Sequence, residues 1–147
     1  MKTRMKTTFR FTTGLVLLFA LLLGVLGRAS AQTTDTTPGP ARYCQGEAAT
    51  IVYIGYDSTV SGTDGDDVIY IEGGWNYVYA DSGDDKVCIF GHFNTVYGGD
   101  GDDILAVGGL YNELYGDAGD DALQVDSATN ALDGGGDAGD RCNGGGC

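Results

Sequence analysis

Aliphatic side chains return along this chain at a fixed interval of nine. Ile51, Val60, Ile69, Val78, Val87, Val96, Leu105, Leu114, Leu123 and Leu132 stand at the eighth place of ten consecutive nine-residue units. Only 19 of the 116 residues after position 31 are Val, Ile or Leu. Keeping ten of them in one column is therefore a packing constraint, which a disordered Gly/Asp tract would not need. Strand alternation places Ile71, Ile89, Val107 and Val125, two residues further on, on the same face, and turns the ninth place outward. Each unit is thus a turn followed by a short strand. Two units make one coil of a flattened parallel solenoid with a thin aliphatic core.

The polar residues between these columns come in two alternating flavours. Gly62-Thr63-Asp64-Gly65-Asp66-Asp67 returns as Ala80 to Asp85, Gly98 to Asp103 and Gly116 to Asp121, with the Gly-Asp-Asp triplets of residues 65, 83, 101 and 119 spaced by 18. The intervening units carry Asn at their sixth place: Asn76, Asn94, Asn112 and Asn130. Acidic turns therefore share one edge of the solenoid and Asn turns the other.

The stretch Gly98 to Ala106, read as Gly-Gly-x-Gly-x-Asp-x-aliphatic-x, resembles the hemolysin-type (RTX) calcium-binding repeats. Cys44-x-Gly46, Thr50-Ile51-Val52 and Gly62-Thr63-x-Gly65-x-Asp67 are similar to small secreted bacterial calcium-binding proteins made only of such repeats. The resemblance covers Cys44 to Cys142 and implies an all-β, right-handed parallel β-roll of about four to five 18-residue coils. It also implies Ca²⁺ between successive acidic turns. Asp67, Asp85, Asp103 and Asp121 match the family's side-chain ligands, and carbonyls of Gly62, Asp64, Gly98, Asp100, Gly116 and Ala118 would complete the shell. Ca²⁺ is a hard ion that takes six to eight oxygens in irregular geometry, which short carboxylates and Gly-rich backbone can supply. Four stacked turns leave three intervals, hence about three expected sites. A fourth is disfavoured, because reading the last turn as Gly136 to Asp140 puts Arg141 at the ligand place. Asp66, Asp84, Asp102 and Asp120, at the fifth place, are expected to point outward and to add field rather than ligation.

On the other edge the Asn residues read as a hydrogen-bonded ladder, since an amide oxygen brings no charge to an ion. Two aromatic columns flank it. Trp75, Phe93 and Tyr111 share the fifth place, and Tyr79, Tyr97 and Tyr115 the ninth, so each set can stack coil on coil. The same columns are the sequence's one hint of a second partner, a glycan or a protein. His92, the single histidine, reads as an exposed turn residue, and no catalytic set can be built around it.

The first 31 residues stand apart from the lattice. A basic start, the uncharged run Phe11 to Gly27 and the small-x-small triplet Ala29-Ser30-Ala31 read as a secretory signal peptide. Residues 32–43, rich in Thr, read as a disordered leader, residues 44–142 as the roll, and 143–147 as a Gly-rich end. Export makes Cys44, Cys88, Cys142 and Cys147 disulfide candidates rather than zinc ligands, with three connectivities open. Cys142 and Cys147 are separated by a flexible loop able to close on itself, and Cys44 with Cys88 would follow by elimination, although the lattice does not obviously bring those two together.

Charge narrows the function classes. Five of the eight basic residues precede position 32, which leaves three against 21 acidic residues, a net charge of −18. Nucleic acid and anionic membrane are disfavoured as partners. The expected function is that of a secreted, non-enzymatic calcium-binding protein whose folding is coupled to the ion. Competing readings are an extracellular adhesive or carbohydrate-binding module with structural Ca²⁺, and a fragment of an RTX exoenzyme. The signal sequence and the missing catalytic domain argue against the last.

Overall fold

The computed structural model of the protein describes residues 41–143. The expected signal peptide, most of the leader and the final residues 144–147 lie outside them. The described chain is all β: β1 (Tyr43–Cys44), β2 (Glu47–Ala48), β3 (Ile51–Tyr56), β4 (Thr59–Thr63), β5 (Val68–Gly74), β6 (Tyr77–Ser82), β7 (Lys86–Phe90), β8 (Thr95–Asp100), β9 (Ile104–Gly108), β10 (Glu113–Ala118), β11 (Ala122–Val125), β12 (Ala131–Asp133) and β13 (Arg141–Asn143). Odd-numbered strands from β3 to β13 form a six-stranded parallel sheet. Even-numbered strands from β4 to β12 form a five-stranded one. The chain alternates between the sheets and so winds a β-solenoid of about five coils.

Pairing runs at 18 residues throughout most of the lattice, as in Ile69↔Val87, Val87↔Leu105 and Leu105↔Leu123. The aliphatic column sets this register. A one-residue slip would turn every core side chain to the outside. The eighth-place residues from Val60 to Leu123 are buried together with Ile71, Ile89 and Val107, while Ile51, Val125 and Leu132 pack on the cluster from the two ends.

The register changes once. Ala122 pairs with Arg141 and Leu123 with Cys142, a separation of 19, so the last acidic turn holds one extra residue. Cys142 thereby reaches the core column and packs against it.

A second, smaller core lies on the outer face of the six-stranded sheet. Gln45 and Gly46, at φ 50° and 88°, provide the two left-handed residues of a tight hairpin that joins β1 to β2. The hairpin lies over the outward ninth place. Cys44 is bonded to Cys88 and packs with Val68, Ala49, Tyr70 and Ala106. Arg42 and Tyr43, which the sequence puts at the end of the leader, take part in this strap. The Arg42 guanidinium sits 5.2 Å from the Tyr70 ring centre and 3.3 Å from Glu72, and Lys86 pairs with Glu47.

Candidate metal centre

From β4 onward every turn from an even strand to the next odd strand is an acidic one, so the topology gathers them on one edge. Their sixth residues are drawn inward: Asp67 is 7% exposed, and Asp85, Asp103 and Asp121 are 1% exposed. A backbone ladder holds them there. The N–H of Asp67 donates to Asp85 Oδ1 at 2.7 Å, that of Asp85 to Asp103 Oδ1 at 2.8 Å, and that of Asp103 to Asp121 Oδ1 at 2.9 Å. The fifth-place aspartates form an exposed ladder that runs the other way: Asp84 N–H donates to Asp66 Oδ1, Asp102 N–H to Asp84 Oδ1, and Asp120 N–H to Asp102 Oδ1. They do point outward, but they also stitch the coils together, a role that sequence reasoning missed.

The second carboxylate oxygens decide the chemistry of this edge. Oδ2 of Asp85, Asp103 and Asp121 is buried and receives no hydrogen bond. A buried acceptor without a donor costs about 1–3 kcal/mol, and more when it is charged. Burial accordingly raises the carboxyl pKa of Asp85 to about 6, aided by the negative charge of Asp67, and that of Asp103 to about 7, aided by Asp85 and Asp121. Burial raises Asp121 as well, with Asp140 adding to the shift. A proton or a cation would relieve this edge.

Glycine shapes the space beside these oxygens. A Cβ at Gly98 would collide with Asp103 Oδ2 and lie 2.6 Å from the Gly116 carbonyl oxygen. A Cβ at Gly116 would meet Asp121 Oδ2 and, again at 2.6 Å, the Gly134 carbonyl oxygen. Carboxylate and carbonyl oxygens thus converge where the side chain is missing. Among the described residues no three His, Cys, Asp or Glu side chains gather as a metal-binding group, so a cation here would have to draw on backbone carbonyls. Ca²⁺ accepts such carbonyls; the donor set, all oxygen and anionic, suits a hard ion.

The first acidic turn is built differently. Asp67 Oδ2 accepts from the Thr63 N–H at 2.7 Å and the Thr63 hydroxyl at 2.9 Å, and Oδ1 from the Thr50 hydroxyl at 3.1 Å. In the next three turns the second and fourth residues, Asp81, Gly83, Gly99, Gly101, Asp117 and Gly119, have positive φ; Thr63 and Gly65 do not.

No protein-family model, no curated protein and no solved structure matches this chain.

The Asn edge supplies an internal control. Asn76 N–H donates to Asn94 Oδ1 at 3.0 Å, Asn94 N–H to Asn112 Oδ1 at 2.9 Å, and Asn112 N–H to Asn130 Oδ1 at 2.8 Å, as in the Asp ladder. The remaining atom is now a donor: Nδ2 of Asn76, Asn94, Asn112 and Asn130 donates to the carbonyls of Gly55, Gly73, Gly91 and Gly109 at 3.0–3.2 Å. This edge is satisfied from within. The acidic edge, with the same spacing and the same Oδ1 bonds, is not.

Other expected ligands separate by position. The carbonyls of Asp100 and Ala118 accept the N–H groups of Gly83 and Gly101 at 2.8 Å, whereas that of Gly116 borders the space described above. Gly62 and Asp64 belong to the divergent first turn. The assignment of Arg141 to the ligand place is overturned, because the extra residue carries Arg141 into β13 and Asp140 takes its place, accepting the Asp121 N–H at 3.1 Å. Asp140 and Gly134 are therefore site residues that the sequence reading missed. A fixed period of 18 could not reveal them.

Both aromatic columns stack. Trp75 and Phe93 rings lie 4.2 Å apart, Phe93 and Tyr111 5.2 Å, Tyr79 and Tyr97 4.9 Å, Tyr97 and Tyr115 5.0 Å, all within 12° of parallel. Trp75, Phe93 and Tyr111 are also left-handed, at φ 61°, 59° and 58°. Beside them an open groove of about 350 Å³ is lined by Tyr56, Glu72, Trp75, Phe90, His92 and Phe93 among others. His92 is exposed, and its Nδ1 accepts the Leu110 N–H at 3.0 Å. Cys142 is disulfide-bonded; Cys147, its expected partner, lies outside the described residues.

Proposed function

We propose that this protein is a secreted, non-enzymatic calcium-binding β-roll of the hemolysin-type repeat kind, in which the ion holds the acidic edge together and is coupled to folding. The observation that carries the reading is the contrast between the two edges: buried Oδ2 atoms without donors on the Asp side, and complete pairing on the Asn side. Aspartates of this edge, with carbonyls of the stacked turns, would hold Ca²⁺ there, and the ion would supply the positive charge the carboxylates lack. The nonapeptide Gly98 to Ala106 and the signal-like first 31 residues support the family and the extracellular location. With −18 on the chain after position 31 and a core one aliphatic layer thick, charge neutralisation and folding would be one event.

The deciding experiment is a calcium titration of the exported, disulfide-bonded protein, followed by circular dichroism and calorimetry. The β signal is expected to grow with Ca²⁺ and to fall back on adding chelator. A full β spectrum in excess chelator, with no heat of Ca²⁺ binding, would refute the proposal.

One observation favours a second reading, an aromatic binding face for a glycan or protein. Three large side chains hold left-handed backbone, a conformation that costs about 1–2 kcal/mol in a non-glycine residue. Ring stacking offsets that strain, and it leaves the rings of the middle coil with their faces against one another, so the ladder role comes first. Glycan-array binding with and without Ca²⁺ separates the two.

A further inference from the structure

Resting on the calcium reading above, we infer that the acidic turns are not equivalent and that this chain holds Ca²⁺ at two places only, beside Asp103 and beside Asp121, while Thr63 and Ala80 close the two preceding turns. An even spacing of four Gly-Asp-Asp triplets implies three sites; the geometry divides the turns in two. Asp103 Oδ2 and the Gly116 carbonyl oxygen converge on the missing side chain of Gly98, and Asp121 Oδ2 and the Gly134 carbonyl oxygen on that of Gly116. Both aspartates are 1% exposed, and neither Oδ2 has a donor. At each of the two glycines an unpaired anionic oxygen and a carbonyl oxygen of the next coil are thus brought to one place.

The two preceding turns lack one or other of these features. At Asp67 the oxygen that would face an ion is already taken by the N–H and hydroxyl of Thr63, and the turn lacks the left-handed second and fourth residues of its neighbours. At Asp85 the oxygen is unpaired, but the place of Gly98 and Gly116 is held by Ala80, whose side chain is fully buried. The 18-residue register puts its methyl group at the place that Asp103 Oδ2 and Asp121 Oδ2 approach at Gly98 and Gly116. Ala80, whose methyl group belongs to the aliphatic core, would thus keep Asp85 Oδ2 from the convergence seen at Gly98 and Gly116. At the far end Asp140 replaces the misaligned Arg141 as the ladder partner of Asp121, so the extra residue of the last turn keeps the second place intact.

Calorimetric stoichiometry of the exported protein with CaCl₂ tests the assignment. The parent is expected to take up two ions, Gly98→Ala and Gly116→Ala one each, and Ala80→Gly three. Ala80→Gly is the decisive variant, because it removes a methyl group and gains a site, a result that misfolding cannot imitate. A parent that binds three ions overturns the two-site assignment, an Ala80→Gly protein that still binds two overturns the role given to Ala80, and either result leaves the calcium reading standing. Absence of Ca²⁺ uptake by the folded parent overturns the calcium reading itself, and the assignment with it.

Discussion

An aspartate and an asparagine differ in one terminal atom, and the two edges of this solenoid show the consequence. Both use Oδ1 to accept the N–H of the preceding coil. The amide then donates its Nδ2 to a glycine carbonyl, while the carboxylate presents a second acceptor to a space that holds no donor. Asp103→Asn should therefore stabilise the protein in chelator by about 1 kcal/mol or more, since an orphaned buried acceptor is replaced by a donor beside the Gly116 carbonyl. The same change should lower calcium uptake. Asn94→Ala should do the reverse, costing about 1–3 kcal/mol by stranding the Asn76 N–H and the Gly73 carbonyl, with ion uptake unchanged. Chemical denaturation in chelator, paired with calorimetry, reads both. Equal loss of bound calcium in the two variants would place ions on the Asn edge as well. At this scale the sequence distinguished the inward sixth place from the outward fifth. It did not reveal the reverse ladder of Asp66, Asp84, Asp102 and Asp120, because outward carboxylates are ordinarily read as solvated charge.

Strands and turns are held in register by columns that cross every coil. The aliphatic column was legible because burial on one face penalises any slip, and the aromatic columns because stacking needs a constant spacing. Phe93 and Tyr97 each contact two rings, one on either side. Their joint replacement by Ala removes four stacked pairs, each worth about 0.5–1.5 kcal/mol beyond area burial. A clear drop in melting temperature in saturating Ca²⁺ is expected, at constant ion stoichiometry. If the double variant melts like the parent, the rings are a binding face rather than a ladder. The hairpin β1–β2 was less legible. A two-residue turn can be guessed from Gln45-Gly46, but its place over Tyr70, Cys88 and Ala106 follows from pairing two cysteines 44 residues apart, a contact between elements of different kinds.

The whole molecule balances a thin core against a large charge. Each site filled at ten times its dissociation constant adds about 1.4 kcal/mol, a large share of the stability of a small domain. In chelator, protons should substitute for part of this. The folded-state pKa of Asp85, about 6, and of Asp103, about 7, both lie above the ordinary 3.8, so the native state binds more protons than the unfolded one between those values. Stability without calcium should therefore fall as pH rises from about 4 to 7, and acidification through that window should raise the folded fraction. Circular dichroism in excess chelator across this range checks the sign. Stability that climbs with pH in chelator would contradict it. Saturating Ca²⁺ should remove the Asp103 part of the trend, because the ion and the proton compete for that carboxylate.

The sequence by itself determined the repeat, the two kinds of edge, the core column and the stacked rings, because each is a nearest-neighbour relation that recurs at a constant spacing. Only the tertiary structure decided what breaks that spacing. It showed that Thr63 satisfies Asp67, that an extra residue exchanges Arg141 for Asp140, and that Cys44 lies over Cys88 on the outer face of the sheet. These depend on where a chain end folds back or an insertion is absorbed, and on which of two oxygens finds a donor. A periodic pattern carries information about the average coil; the exceptions are made by contacts that occur once.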